Sequence, residues 1–332
     1  MAPDYLTNIN PPPVDASKSA IENSLELTAL SHIGPDVYTN TRPLWRPPGA
    51  RGIYGGAVIA HCLVAGQFTI PSNFTAHSMH CYFVLAGDSE IPVIYHVDRV
   101  REGKSFATRT VQAKQRGRCI FTTTISFTHD NSETAVITHT IPLPKGLKPP
   151  PNDGEIVEMV RANQGRPFLS DRFKASNAES NNPHERKARQ WIKAAGKLNP
   201  GADYKTHISA LAYMSDSYFI GSVAMIHGVL RHWPKPEELS SQLSSEAESS
   251  KRNKRAGVVS MLVSLDHTIY FHQARGFMAD EWIFAEVSSP WSGDGRAVVT
   301  QHMFARDGTL LATCFQEGVV RMQQEEPVRP QL

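Results

Sequence analysis

Two long apolar stretches, each followed by a series of strand-like runs, constrain the fold of this chain of 332 residues more than any other feature. The first is YGGAVIAHCLVAGQF at positions 54–68, and the second is ALAYMSDSYFIGSVAMI at positions 210–226. Each has the length of an ordinary helix, and a helix that is apolar on nearly every side must be buried on most of its surface. The sequence therefore predicts two buried helices, each enclosed by the structure that follows it.

Four runs with the composition of β-strands follow each predicted helix. In the first copy they read FTAHSMHCYFVLAG, IPVIYHVDRVR, KSFATRTVQAKQ and RCIFTTTISFT, and in the second VVSMLVSLDHTIYFH, EWIFAEVSS, RAVVTQHMFA and TLLATCFQEGVV. A turn, Arg116-Gly117 or Asp307-Gly308, separates the last two runs of each copy, as in an antiparallel hairpin. We therefore predict an α+β protein in which two antiparallel sheets each wrap around a helix, a pseudo-dimer within one chain.

Composition sets the expected domain boundaries. Pro, Asn and Ser are abundant between Pro142 and Lys187, and a second polar, Ser-rich run extends from Pro234 to Arg255. Such segments bury little apolar surface and favour linkers or mobile insertions. The predicted organisation is a flexible N-terminus at 1–18, an N-terminal domain at 19–141, a linker at 142–200, a C-terminal domain at 201–324 with a mobile insertion at 234–255, and a tail at 325–332.

Charge and cysteine content exclude several classes of protein. The chain has 34 Lys and Arg against 32 Asp and Glu, a net charge of +2, which gives no basis for binding nucleic acid or an anionic membrane surface. No apolar run is long enough to span a bilayer, and the N-terminus lacks the pattern of a secretory signal. The four cysteines are scattered without a Cys-x-x-Cys pair, so we expect reduced thiols in an intracellular globular protein and no zinc site.

Several longer motifs, in this order along the chain, resemble those of the acyl-CoA thioesterase II family. They are RGIYGGAVIAHCLVAG, the stretch from HSMHCYFVLAG to CIFTTTISF, LAYMSDSYFI, SLDHTIYFH and ATCFQEGVVR. The similarity extends from Ser19 to Met322, apart from the linker and the Ser-rich insertion. It implies a double hotdog fold and an enzyme that hydrolyses acyl-CoA thioesters to a free carboxylic (fatty) acid and coenzyme A. It implies no metal and no redox cofactor.

Asp216 is the first candidate for the catalytic site. It opens the more apolar part of the second predicted helix, and Ser215, Asp216 and Ser217 are all residue types favoured at helix N-caps, so capping is one interpretation. The resemblance implies another, because the catalytic Asp of the family falls on this position. Partial burial against the apolar helix would make its carboxylate a stronger base toward an attacking water.

Gln316 is the second candidate. Alternation in LLATCFQEGVV places Ala312, Cys314, Gln316 and Gly318 on one face, whose small residues let another element pack closely. A buried carboxamide needs hydrogen-bond partners, and because it both donates and accepts, it can orient a water. The alternative is a Gln at a strand end that reaches solvent. The resemblance places the catalytic Gln of the family here.

Ser264, in MLVSLDH, is the third candidate. Strict alternation places it on one face with Asp266 and Thr268, and His267 on the other face. A small polar residue on a strand commonly faces solvent, which is the alternative. The family usually has Thr at this position to hold the water, and Ser keeps the hydroxyl but loses the rotamer restriction of a β-branched side chain. The resemblance gives Asp266 a supporting structural role.

Gly55, Gly56 and His77 are accessory candidates. Two glycines at the start of a helix bring the backbone close to a ligand or another element, and N–H groups at a helix start favour an oxyanion or a phosphate. This pair is expected to take the place of Asp216 in the first half. The family typically has Gln or His after the two glycines, and Ala57 departs from that pattern, which weakens the case for catalysis in the first half. His77 could act as an acid or base, although a His in a strand more often has a packing role.

Two other functions remain open. A hotdog hydratase or dehydratase acting on acyl-CoA would use an Asp/His pair, with His77 or His267 as the His. Ala57 and the Ser at 264 instead suggest a non-catalytic acyl-CoA-binding protein. In each case the expected partner is acyl-CoA, with homo-oligomerisation through exposed sheet edges. We expect a cytoplasmic location, with the peroxisomal matrix as the alternative, because the final Pro-Gln-Leu at 330–332 matches a Ser-Lys-Leu signal only in its last residue.

Overall fold

The computed structural model of the protein describes residues 11–48, 50–130, 137–163, 165–229 and 259–322. The predicted insertion at 234–255 and the tail at 325–332 lie outside these ranges, as do residues 1–10 of the predicted N-terminal segment. The helices are α1 (Ala20–Leu25), α2 (Gly55–Phe68), α3 (Asp153–Arg161), α4 (Tyr204–Ser215) and α5 (Ser222–Ile226), with a short 3-10 helix at Pro183–Glu185.

The strands of the first half are β1 (Leu27–Ala29), β2 (Val37–Asn40), β3 (Phe74–Phe83), β4 (Ile94–Glu102), β5 (Phe106–Gln115) and β6 (Arg118–His129). Those of the second half are β7 (Phe168–Ser176), β8 (Lys187–Ala194), β9 (Val259–Ser264), β10 (Asp266–Phe271), β11 (Ile283–Gly293), β12 (Arg296–Phe304) and β13 (Leu310–Met322). The eight predicted strand runs therefore all contain strands, and both predicted turns separate neighbouring antiparallel strands.

All of these strands join one sheet, in the order β1-β2-β4-β5-β6-β3-β10-β13-β12-β11-β8-β7, with β9 paired to the far end of β13. The order is symmetric about the β3–β10 pair. On either side of it β6 matches β13, β5 matches β12, β4 matches β11, β2 matches β8 and β1 matches β7. This confirms the predicted α+β double hotdog, with one refinement. Antiparallel pairing of β3 with β10 joins the two predicted sheets into a single continuous one.

Helices α2 and α4 pack against each other inside this sheet and run antiparallel. The C-terminal end of α4 lies against the N-terminal end of α2, and Ser209, midway along α4, donates a hydrogen bond of 3.3 Å to Gln67 at the end of α2. Close packing depends on Gly56, because a Cβ atom there would lie 2.1 Å from the Tyr213 carbonyl oxygen. A side chain at this position would force the two helices apart.

Residues 142–200 are not the linker that their composition predicts. They contain α3, β7 and β8, and β8 pairs with β11 to extend the sheet of the second half. The segment repeats the α1-β1-β2 arrangement that precedes α2, so the second half begins at α3 and not at the predicted domain boundary of residue 201. Buried apolar residues such as Phe168, Trp191 and Ile192 hold the two strands in place.

Candidate active site

The second central helix is shorter than predicted and ends beside Asp216. Helix α4 runs only to Ser215, and α5 does not begin until Ser222. Asp216 is the C-cap of α4, so the interpretation of Asp216 as an N-cap is wrong. The N-cap of α4 is Asp203, whose side chain accepts a hydrogen bond of 3.0 Å from the Thr206 backbone.

The carboxylate of Asp216 is nearly enclosed, with its side chain 10% exposed. Its Oδ1 accepts a hydrogen bond of 2.9 Å from Nε2 of Gln316, and the backbone N–H of Gly56 donates a second. No Lys or Arg of the described ranges forms an ion pair with it. Burial raises the pKa of Asp216 to about 6, although the two hydrogen bonds act in the opposite direction. The negative end of the α4 dipole and the positive end of the α2 dipole both meet Asp216 and act on its ionisation in opposite directions.

Gln316 lies on the inner face of β13, as predicted. Ala312, Cys314 and Gln316 are at most 1% exposed, and Gly318 is buried beside them. The amide nitrogen of Gln316 lies 2.9 Å from Asp216 Oδ1 and 3.0 Å from Nδ1 of His267. Its Oε1 is buried and has no hydrogen-bond partner among the described residues. Gln316 therefore holds the carboxylate of Asp216 and still offers one acceptor toward the same space.

Two further glutamines fix the turn after α4. Nε2 of Gln301 on β12 donates 3.0 Å to the Ser215 carbonyl, and Nε2 of Gln190 on β8 donates 3.2 Å to the Ser217 carbonyl. Both side chains are buried and belong to strands of the second half. Sequence reasoning missed them, although a Gln at an inward position of an otherwise apolar strand is the same signal that identified Gln316.

Ser264 and His267 point to the same side of the sheet, contrary to the alternation predicted from the sequence. Ser264 lies opposite Gly318, whereas Thr268 lies opposite Phe315, so the chain on the β9–β10 side contains one extra residue between these pairs. Such a bulge shifts the alternation by one position. Residues directly opposite in a sheet share a face, so Ser264 joins Gly318 on the inner face. Within the described ranges, no hydrogen bond links the Ser264 hydroxyl to Asp216 or Gln316.

Asp266 supports the strand that carries Gln316. Its Oδ1 accepts a hydrogen bond of 2.6 Å from the backbone N–H of Glu317. This contact fixes the backbone beside Gln316, and Glu317 itself pairs with Arg296 at 2.7 Å. The expected structural role of Asp266 agrees with this geometry.

The accessory candidates separate into two groups. A Cβ atom on Gly55 would lie 2.7 Å from Oδ2 of Asp216, so both glycines border the carboxylate, and their lack of side chains makes the contact possible. His77 is elsewhere, because its Nε2 bonds to Ser126 at 2.8 Å and its ring packs edge-on against Phe106. The structure thus brings Asp216, Gln316 and the two glycines together, and it does not bring His77 to them.

Comparison with known proteins gives this arrangement a family. Residues 144–320 match the acyl-CoA thioesterase C-terminal domain, which is more than half of the chain, and residues 42–128 match the acyl-CoA thioesterase N-terminal domain. The chain belongs to the acyl-CoA thioesterase family. The boundary between the two matches lies before α3, which agrees with α3, β7 and β8 forming part of the second half.

Individual members of the acyl-CoA thioesterase family are similar along nearly the whole chain. Acyl-coenzyme A thioesterase 8 of Rattus norvegicus is 32% identical, over 92% of this chain and 93% of the rat protein. Peroxisomal acyl-coenzyme A thioester hydrolase 1 of Saccharomyces cerevisiae is 25% identical over 95% of this chain and 99% of its own length. The crystal structure of an acyl-CoA thioesterase II from Mycobacterium marinum superposes with a TM-score of 0.67 at 29% identity, covering 91% of this chain and 98% of that one.

Metal sites and membrane-spanning helices are both absent from the residues that the structure describes. Among them there is no group of three or more His, Cys, Asp or Glu side chains that could hold a metal ion. Nor do they include a helix that is long and apolar enough to cross a membrane.

Proposed function

We propose that Asp216, Gln316 and Ser264 hold and activate the water with which this acyl-CoA thioesterase hydrolyses its substrate to a free carboxylic acid and coenzyme A. The observation that carries the proposal is the 2.9 Å hydrogen bond between Gln316 Nε2 and Asp216 Oδ1, two groups that lie 100 residues apart in the chain. It leaves Oε1 of Gln316 available beside a carboxylate of raised pKa.

The first step is deprotonation of the water. A water placed between these two side chains donates one hydrogen to the Asp216 carboxylate and the other to Oε1 of Gln316, which aims its remaining lone pairs away from both. Because burial raises the pKa of Asp216 to about 6, the carboxylate is ionised in most molecules at pH 7 and is a stronger base than an ordinary one. As the water oxygen bonds to the thioester carbon, its proton passes to Asp216.

The second step is collapse of the tetrahedral intermediate. The carbonyl π electrons have moved onto oxygen, and the backbone N–H of Gly55, together with the positive end of the α2 dipole, stabilises that charge. Re-formation of the carbonyl breaks the C–S bond, and the departing coenzyme A thiolate takes the proton from Asp216. The carboxylate is then restored for the next cycle.

Ser264 has the smallest part in this scheme. It faces inward opposite Gly318, two residues along β13 from Gln316, and diagonal neighbours of this kind lie about 7–8 Å apart at Cα. A water held by Asp216 and Gln316 on this face of the sheet would be positioned further by the Ser264 hydroxyl. The missing methyl group relative to Thr allows the hydroxyl more rotamers.

A hydratase or dehydratase is disfavoured by the surroundings of the two histidines. Both ring nitrogens of His267 bond within the protein, and burial lowers the pKa of His267 to about 3. His77 bonds to Ser126, away from Asp216. A non-catalytic binding protein would not require the carboxylate and amide that meet at Asp216.

The decisive experiment is steady-state hydrolysis of a panel of acyl-CoA thioesters, including palmitoyl-CoA, by wild type, Asp216→Asn and Asp266→Asn. Asp266 is the matched control, since it is a second carboxylate whose pKa is raised by burial, yet it bonds to the backbone of Glu317. We expect Asp216→Asn to lower kcat by about 10²–10⁴ and Asp266→Asn to keep most of it. Equal activity in wild type and Asp216→Asn would overturn the base assignment.

Location and assembly are further proposals. The cytoplasm remains the proposed location, the similarity to a peroxisomal thioester hydrolase of yeast is compatible with the peroxisomal matrix as the alternative, and imaging a fluorescent fusion with a free C-terminus distinguishes the two. Homo-oligomerisation through the edge strands β1 and β7 stays a prediction, which sedimentation velocity tests directly.

A further inference from the structure

His267 is completely buried on β10, and both of its ring nitrogens have partners. Nδ1 lies 3.0 Å from Nε2 of Gln316, and Nε2 lies 3.0 Å from Oγ of Ser215 at the end of α4. The ring also packs edge-on against Phe219. His267 therefore connects the end of the helix that carries Asp216 to the strand that carries Gln316.

The hydrogen bonds of Ser215 determine which nitrogen of His267 carries the proton. The Ser215 hydroxyl donates its single hydrogen to the Ala212 carbonyl at 2.9 Å. It must therefore accept from His267, so the proton lies on Nε2 and Nδ1 has a free lone pair. That lone pair accepts a hydrogen bond from the amide of Gln316.

This chain of bonds also determines which way the Gln316 amide points. Its two N–H groups are directed to Asp216 Oδ1 and to His267 Nδ1, which leaves Oε1 as the free acceptor. With the amide rotated by 180°, Oε1 would face two acceptors, and the NH₂ group would face the water site. A water held by NH₂ would turn its lone pair toward the amide instead of toward the substrate.

We propose that His267 is a positioning residue, which as a neutral Nε2–H imidazole locks the Gln316 amide in the orientation that accepts a hydrogen bond from the attacking water. The proposal rests on the function proposed above. His267 does not contact the reacting atoms in this scheme, and its Nδ1 lies 4.0 Å from Asp216 Oδ1. The depressed pKa of His267, about 3 because of burial, agrees with a ring that stays neutral while the enzyme works.

Two amide variants of His267 separate a role in positioning Gln316 from a role in packing. In His267→Asn the amide oxygen can occupy the place of Nδ1 and accept from Gln316, whereas in His267→Gln the polar group lies further out, toward Ser215. We expect His267→Gln to lower kcat by about 10²-fold with little change in KM, and His267→Asn to restore most of the loss. Circular dichroism and thermal unfolding confirm that both variants fold.

A double-mutant cycle provides the second test. If His267 acts through Gln316, the variant His267→Gln/Gln316→Ile is no slower than Gln316→Ile alone, because the amide it positions is gone. Additive losses would overturn the proposal, as would full activity of His267→Gln. ¹⁵N NMR of the wild type should show His267 protonated at Nε2 and not at Nδ1 between pH 5 and 8, and the opposite tautomer would also overturn it.

Asp216→Asn, measured in parallel, distinguishes this inference from the proposed function. An inactive Asp216→Asn together with a fully active His267→Gln rejects only the positioning role. An active Asp216→Asn rejects the base itself, and the positioning role with it.

Discussion

The two halves of the molecule share one architecture, yet only the second has a carboxylate, an amide and an imidazole that meet at the end of its central helix. Gln67 and Asp216 lie at the same distance from the first residue of their helices, Gly55 and Tyr204. The expectation that the glycine pair of the first half takes the place of Asp216 is therefore wrong. Gly55 and Gly56 lie at the opposite end of the repeat, and they meet Asp216 only because α2 and α4 are antiparallel.

The matching strands show the same contrast. Symmetry about the β3–β10 pair places Met79 in the first half where His267 lies in the second, and Ala76 where Ser264 lies. Likewise Ile125 on β6 corresponds to Gln316 on β13. At the four corresponding positions the first half has the side chains of Gln67, Met79, Ala76 and Ile125. The second half has those of Asp216, His267, Ser264 and Gln316, in the same order. Three of these four positions in the first half therefore have apolar side chains.

A buried arginine marks a less obvious difference. Arg109 lies opposite Ile125, is completely buried, and donates 2.9 Å to the Thr69 carbonyl and 2.7 Å to the Thr69 hydroxyl at the end of α2. The corresponding residue opposite Gln316 is Val299. A cation at that position would stabilise the ionised form of Asp216 and lower its pKa. The second half keeps its carboxylate basic partly because this neighbour is apolar.

Among changes that exchange corresponding residues between the two halves, we expect replacement of Gln316 by the isoleucine of the first half to lower kcat the most. We expect Gln316→Ile to lower kcat by about 10²–10³, because the water loses the acceptor that orients it. The reciprocal change, Ile125→Gln, buries an amide without a designed partner and should cost about 1–3 kcal/mol of stability while leaving kcat unchanged. Stopped-time thiol release and urea unfolding measure the two quantities. Equal losses of kcat in the two folded variants would show that both halves contribute to catalysis.

An intermediate effect concerns the stability cost of the buried carboxylate. The folded protein raises the pKa of Asp216 to about 6, so it holds the proton more tightly than the unfolded chain does. Its contribution to stability is therefore complete below pH 4 and is lost as the pH rises through 6. We expect Asp216→Asn to be more stable than wild type at pH 8, by about 1–3 kcal/mol, and equally stable at pH 4.

The same ionisation sets the pH dependence of activity. In wild type, kcat should fall as the pH drops through about 6, because protonation removes the base. Gln67→Glu is the matched change in the first half, and it should destabilise the protein more at pH 8 than at pH 4. A stability difference between wild type and Asp216→Asn that does not change with pH would contradict the raised pKa.

The smallest effect is expected at the strand bulge. Ser264→Ala introduces the residue that the first half has at Ala76, and losing one hydrogen bond of about 1 kcal/mol should lower kcat roughly fivefold. Ser264→Thr should keep the activity, since it retains the hydroxyl, and Ala76→Ser should change nothing. Unchanged kcat in Ser264→Ala would remove the hydroxyl from the mechanism.

Much of the fold, and the two candidate residues Asp216 and Gln316 that the structure brings together, could be predicted from sequence because the signals are local. The apolar stretches gave the two central helices, alternation gave the inward face of Gln316, and the motif order gave the family. Local signals failed at two points. The composition of residues 142–200 did not predict β7 and β8, because β8 is stabilised by pairing with β11 and β7 by pairing with β8. Nor did the sequence predict that α4 ends beside Asp216.

By itself, the amino-acid sequence determined the repeat, the family and the candidate site residues. Each of these depends on short stretches of sequence, in which the spacing of apolar residues shows which side chains are buried. Only the tertiary structure decided that α2 and α4 are antiparallel, so that two glycines of the first half border the carboxylate of the second. It also decided that a bulge turns His267 inward and that Val299, with no cation, lies beside Gln316. These features arise from contacts between residues far apart in the chain, and no local pattern specifies them.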